Sequence, residues 1–306
     1  MIIAPVLPVL FFCANVSTLA IISLDSPPCF ILIANVMRKF YVFILVLLST
    51  SSTWAKDPSV VTVVADPWCP YNCLDSADNK GVMIDLAQAA LAKSNIKLDY
   101  QNINWGRAAT LVITGELDAI VGMGRSANTE KKFYFPATPL AFTQVCFYRR
   151  PGSTWVFENA ESLNGQRVGW INSYKFGDDS VDAWISENRN TANVTVLSGE
   201  IELIHSLIKM LNTDRITTFG EVRNNVDYAS QTLNMKVENA GCLDSIDDVY
   251  IAFSPENPNS VLLAKALDEG MRQLLETPEN LRSTFQRYGL SLDEYLRNLK
   301  IFDSTQ

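Results

Sequence analysis

Histidine is almost missing from this chain of 306 residues: His205 is the only one. Ser-His-Asp and Cys-His mechanisms need a base beside the nucleophile, so their usual forms are excluded. His205 itself lies on the Ile201, Ile204, Ile208 face of an apolar helix, where a core or boundary role is expected. A Gly-x-Ser-x-Gly elbow and a phosphate-cradling glycine loop are also lacking. Positive charge is scarce. The part that follows Ala55 has 23 basic and 32 acidic side chains, a net charge of about −9, which argues against a nucleic-acid partner because phosphate binding needs clustered Lys and Arg. No apolar run after residue 55 is long enough to enter a bilayer, and no low-complexity stretch interrupts that part.

Apolar sequence is concentrated at the start. Met37-Arg38-Lys39-Phe40 places two positive charges before the apolar run Tyr41 to Leu48, and small and polar residues end at Thr53-Trp54-Ala55. That order is a secretory signal over residues 37–55, with cleavage expected after Ala55 and a periplasmic destination. Residues 1–36 form an apolar upstream extension with Cys13 and Cys29 and no basic region near Met1, so Met37 is read as the start. An additional membrane segment at residues 1–36 is the alternative reading.

Four cysteines remain after the signal: Cys69, Cys73, Cys146 and Cys242. An even number in an oxidising compartment points to disulfides. Cys69 and Cys73 bracket a very short loop suited to a local bridge, which leaves Cys146 to Cys242 by elimination. The Cys-x3-Cys spacing without a nearby histidine gives little support for zinc, and neither a metal nor a cofactor is expected.

Val60 to Ala65 is a β-branched run broken by the prolines of Asp66-Pro67-Trp68-Cys69-Pro70-Tyr71. Gly81 opens a helix with Met83, Leu86, Ala87, Ala90 and Leu91 in one stripe, and Leu98 and Tyr100 mark a second strand. Trp105 to Glu116 reads as a helix and Leu117 to Val121 as a strand, giving an α/β unit with parallel pairing. Phe142 to Tyr148 is a further strand. A second series follows: strand 168–170, helix 181–185, strand 194–197, helix 200–211 and strand 216–219. Val249 to Phe253 is a last strand before helices at 259–275 and 278–288.

Five landmarks in this order resemble the family 3 extracellular solute-binding proteins, periplasmic receptors best known for polar amino-acid uptake. They are Gly81-Val82-Met83-Ile84-Asp85-Leu86-Ala87, Gly115-Glu116-Leu117-Asp118-Ala119-Ile120, Phe133-Tyr134-Phe135-Pro136, Leu163-Asn164-Gly165-Gln166-Arg167-Val168-Gly169 and Tyr250-Ile251-Ala252-Phe253. The resemblance implies an α/β, two-lobed periplasmic-binding-protein-like (type II) fold with a hinge of two crossing strands near Phe147–Pro151 and Ile246–Ser254. Residues 56–146 plus 250–306 would form lobe 1, and residues 147–249 the hinge and lobe 2.

The resemblance also implies a ligand cleft between the lobes. The arginine that usually holds a ligand carboxylate falls on Thr129, which puts an α-amino acid in doubt. Arg107 and Arg125 either replace it or are solvated surface residues. Glu221 occupies the place of the lobe 2 carboxylate that faces a ligand ammonium. Asp66, Trp68, Tyr71, Trp105, Gly122 and Met123 follow or end lobe 1 strands where loops line the cleft of an open sheet. Trp170 and Tyr174 are the aromatic candidates from lobe 2. The expected function is that of a monomeric, non-enzymatic receptor for a small polar solute, an amino acid or a related compound, serving an ABC permease. The alternatives are a receptor for a membrane sensor and an enzyme on the same scaffold, such as a dehydratase or cell-wall lyase relative.

Overall fold

A computed structural model describes residues 59–199 and 203–305. The expected signal at residues 37–55 and the extension at residues 1–36 lie outside the described residues.

Among the described residues, ten strands form two five-stranded sheets of matching design. The first has the order β2-β1-β3-β10-β4, from Lys97–Asn102, Val60–Ala65, Ala119–Gly124, Asp247–Phe253 and Ala141–Thr143. Strands β1, β2 and β3 are parallel, and β10 runs antiparallel to both β3 and β4. The second sheet has the order β7-β6-β8-β5-β9, from Val194–Leu197, Val168–Ile171, Thr218–Val222, Val145–Arg149 and Glu238–Cys242. There β6, β7 and β8 are parallel, and β5 is antiparallel to its neighbours β8 and β9. Each sheet is three parallel strands followed by one antiparallel strand, which brings the chain across from the other sheet, and by an edge strand that pairs antiparallel with it.

Helices cover both faces, so the central strands read as continuous apolar runs instead of alternating ones. In the first sheet, Val61, Val63 and Ala65 of β1 join the core under α1 (Val82–Ala92) and α6 (Ser260–Leu275), whereas Val64 joins a second cluster with Ala108 and Val112 of α2 (Trp105–Ile113). In the second sheet, Trp170 and Phe147 face α3 (Asp179–Asn188). Phe219 and Cys146 face α4 (Leu203–Asn212) and α5 (Arg223–Leu233). Two C-terminal helices, α7 (Arg282–Arg287) and α8 (Leu292–Thr305), pack Phe285, Leu292 and Tyr295 onto the first sheet's core.

The strand expected over 142–148 is two strands in different sheets. The chain crosses at Gln144, and it returns through Leu243–Ile246 between β9 and β10. The crossings thus lie a few residues before the expected Phe147–Pro151 and Ile246–Ser254, because Val145 and Cys146 already pair with β8 and β9. The two crossing segments are bonded to each other: the Gln144 side-chain amide donates to the Leu243 carbonyl at 2.9 Å, and the Leu243 amide donates to the Val145 carbonyl at 2.9 Å. Helices α5 and α8 and strand β9 were not expected. Both disulfides are present, Cys69–Cys73 in the loop after β1 and Cys146–Cys242 across the β5–β9 pair.

Candidate functional site

The parallel strands of both sheets end at a common cavity of about 130 Å³. Carboxyl ends of parallel strands are where open α/β sheets place their ligand loops. From the first sheet come Asp66 and Trp68 after β1, Asn72 in the disulfide loop, Trp105 at the start of α2, and Gly122 on β3. From the second come Tyr174, Lys175 and Phe176 after β6 and Glu221 on β8. Thr143, Val145 and Asp247 line it at the crossings.

Local sequence explains several of these positions. Asn104 caps α2 by accepting from the Arg107 amide at 3.3 Å, which sets Trp105 on the first helical turn, at the mouth of the cleft. Gly122 is an extra residue between the β3–β10 pairs Val121–Ile251 and Met123–Tyr250, with φ +89°. That bulge turns the strand end, and a side chain there would lie 3.6 Å from the Trp105 ring.

The polar groups are paired across the cleft. The Trp68 indole N–H donates to Glu221 Oε1 at 3.2 Å, and the Val222 amide donates to the same oxygen at 2.7 Å. The Tyr174 hydroxyl donates to Asp66 Oδ2 at 3.0 Å. Trp105 and Tyr174 meet edge to face with ring centres 6.4 Å apart. Asn72 Nδ2 donates to the Asp66 carbonyl at 2.8 Å and to the Tyr100 hydroxyl at 3.3 Å. Glu221 is 1% exposed and Asp66 4%. Burial penalises the charged form and raises Glu221 to about 7 against its two hydrogen bonds. It raises Asp66 to about 6 against the Tyr174 bond. Asp247 is raised as well, again mainly by burial.

Of the residues singled out from sequence, Asp66, Trp68, Trp105, Gly122, Tyr174 and Glu221 line the cavity, whereas Tyr71, Arg107, Met123, Arg125 and Trp170 do not. Arg107 is exposed, because two residues of helix turn it about 200° from Trp105. Met123 follows the cavity residue Gly122 on β3 and points to the opposite face, into the core beneath α2. Arg125, past the end of β3, pairs with Glu130 at 2.7 Å and lies over the Phe135 ring. Trp170 is buried within β6 against Phe176. Tyr71 is buried, accepting from the Asn224 amide at 2.9 Å and packing on Trp68. His205, half-buried on α4, is not among the lining residues. Asn72, Lys175, Phe176 and Asp247 escaped the sequence reading. Asn72, inside the aromatic Cys-Pro-Tyr-Asn-Cys loop, and Lys175, beside Tyr174, were the two within reach of it.

Two mixed sheets joined by two crossings, with a polar and aromatic cavity where their parallel strands end, define a two-lobed α/β binding protein. Bacterial extracellular solute-binding proteins, family 3, match this chain over residues 60–289, and the chain belongs to that family. Solved structures of the same fold include an ancestral arginine-binding protein bound to arginine, 17% identical with a TM-score of 0.61, covering 76% of this chain and 99% of that one. Another is an arginine-, lysine- and histidine-binding protein from Geobacillus stearothermophilus, 14% identical with a TM-score of 0.59, covering 74% and 94%. A histidine kinase sensor domain with similarity to periplasmic binding proteins is 14% identical with a TM-score of 0.60, covering 74% and 96%. No curated protein matches the sequence.

Proposed function

We propose that the protein is a periplasmic receptor that captures a small polar solute between its two lobes and delivers it to an ABC-type permease. The observation that carries this reading is the cavity itself, lined from both sheets and bridged by Trp68–Glu221 and Tyr174–Asp66. A solute there would touch both lobes at once, so its binding energy would favour the closed arrangement.

Native mass spectrometry of residues 56–306, purified from the envelope, should show a co-purifying small molecule that is released chemically unchanged on denaturation. Recovery of a converted product would sink the binding-only reading. The likeness to a sensor domain favours signalling as the second reading. Loss of uptake of the released solute in cells lacking the protein separates transport from sensing.

A further inference from the structure

The polar lining of the cavity is unbalanced. Asp66, Glu221 and Asp247 bring three carboxyl groups, and Lys175, itself exposed, is the one cationic side chain among the lining residues. Thr129, at the family's arginine position, spends its hydroxyl on the Gly124 carbonyl in an exposed turn, and Arg107 and Arg125 are directed elsewhere. A carboxylate entering this space would meet like charge on most sides.

Hydrogen bonding points the same way. Two enclosed lining atoms have no partner, Glu221 Oε2 and Asn72 Oδ1, and both residues are only 1% exposed. Both are acceptors. Asn72 presents its oxygen because its amide nitrogen is committed to the Asp66 carbonyl and Tyr100. The Trp68 and Tyr174 donors are spent on the carboxylates. An unmet buried acceptor is costly, so the missing group is a donor, and beside carboxylates a charged one. The size fits too: a cavity of ~150 Å³ holds benzene, and about 130 Å³ accommodates a compound of similar bulk.

We propose that the cavity selects a small amine that carries no carboxylate, its ammonium received by Glu221 Oε2 and Asn72 Oδ1 and its carbon skeleton held among Trp68, Trp105 and Tyr174. This rests on the solute-binding reading and narrows it. Ammonium binding holds Glu221 ionised, so a proton leaves on association near neutral pH, and affinity weakens as pH falls below about 7. The charged groups near Glu221 are Asp66, Asp247 and Lys175 in the lining, and its charge acts on Tyr174, Tyr71 and Tyr148, the last two also under the opposite influence of Arg223.

The test is calorimetry on residues 56–306 with matched pairs: ethanolamine against serine, putrescine against ornithine, histamine against histidine, with glucose and succinate as solutes lacking an amine. At least one amine should bind, tenfold or more tighter than its amino acid, with proton release detected between buffers of different ionisation heat. Glu221→Gln should weaken that amine at least tenfold, and Lys175→Ala should strengthen it by removing a like charge. An amino acid that binds as tightly as its amine, a Lys175→Ala loss, or no amine binding overturns the proposal. If an amino acid, glucose or succinate binds instead, the solute-binding reading survives without it. If nothing binds and nothing co-purifies, both fall.

Discussion

Glu221 and Asp66 are buried carboxyl groups that face each other's lobe without a cation between them. Folding moves Glu221 from 4.5 to about 7 and Asp66 from 3.8 to about 6. The native chain therefore keeps protons that the unfolded chain has already released. The resulting stability is present below the unfolded values and is lost as pH rises through the folded ones, on the order of 3 kcal/mol per group. Carboxylates that folding shifts downward, such as Asp178 and Glu279, act in the opposite sense only in more acidic solution. The unliganded protein should thus melt several degrees lower at pH 8 than at pH 5.5, and Glu221→Gln should flatten that dependence. Equal melting temperatures for the unaltered protein at both pH values would contradict the burial of these groups.

Among the elements, α1 and α6 approach most closely at Gly270, where an added methyl would sit inside the backbone of Ala90. Backbone cannot move aside as a flexible side-chain end can. Gly270→Ala should destabilise the fold by about 1–3 kcal/mol, the usual cost of overpacking. Urea unfolding gives the check, with an unchanged midpoint counting against the close crossing. The site should stay intact in that variant, because Ala90 and Gly270 are not among the cavity-lining residues. Helix α5 shows the reverse economy. Its sequence opens Arg223-Asn224-Asn225, with little apolar pattern, yet Val226 and Ala229 are buried against α4 and the second sheet. Packing, rather than propensity, holds it.

Across the whole described unit, the lobes are drawn together by contacts outside the cavity. The Asn104 amide donates to the Gly199 carbonyl at 3.0 Å, and the Asn225 amide donates to the Cys69 carbonyl at 2.8 Å. Both bonds link the first sheet's loops to the second lobe, while only Gln144 and Leu243–Ile246 join the sheets covalently. Few hinge residues and many closing bonds make closure a two-state matter. Asn225→Ala removes one closing bond, worth roughly 1 kcal/mol, so solute affinity should fall about fivefold. Small-angle scattering of the unliganded variant should report a larger radius of gyration. No change in either quantity would show that this bond does not govern closure.

Much of the fold follows from local sequence. β-Branched runs at Val60 to Ala65 and Val194 to Leu197, the stripe of α1 and the ordered landmarks specify two α/β series, because periodicity is written residue by residue. Asp66 and Trp68 were legible as residues that follow a strand end for the same reason, and Glu221 through the resemblance to the family. The direction of a side chain at such an end was not. Arg107 and Trp105 stand two residues apart on one helix, as Gly122 and Met123 stand side by side on one strand, yet only one of each pair lines the cavity. The β3–β10 bulge that turns Gly122, the switch of sheets at Gln144, and the placing of Lys175 and Asp247 in one cavity with Asp66 depend on partners more than 70 residues away in the chain. Sequence by itself determined which elements form; tertiary pairing decided which of their residues meet, because a side chain's facing is set by the strand or helix packed against it.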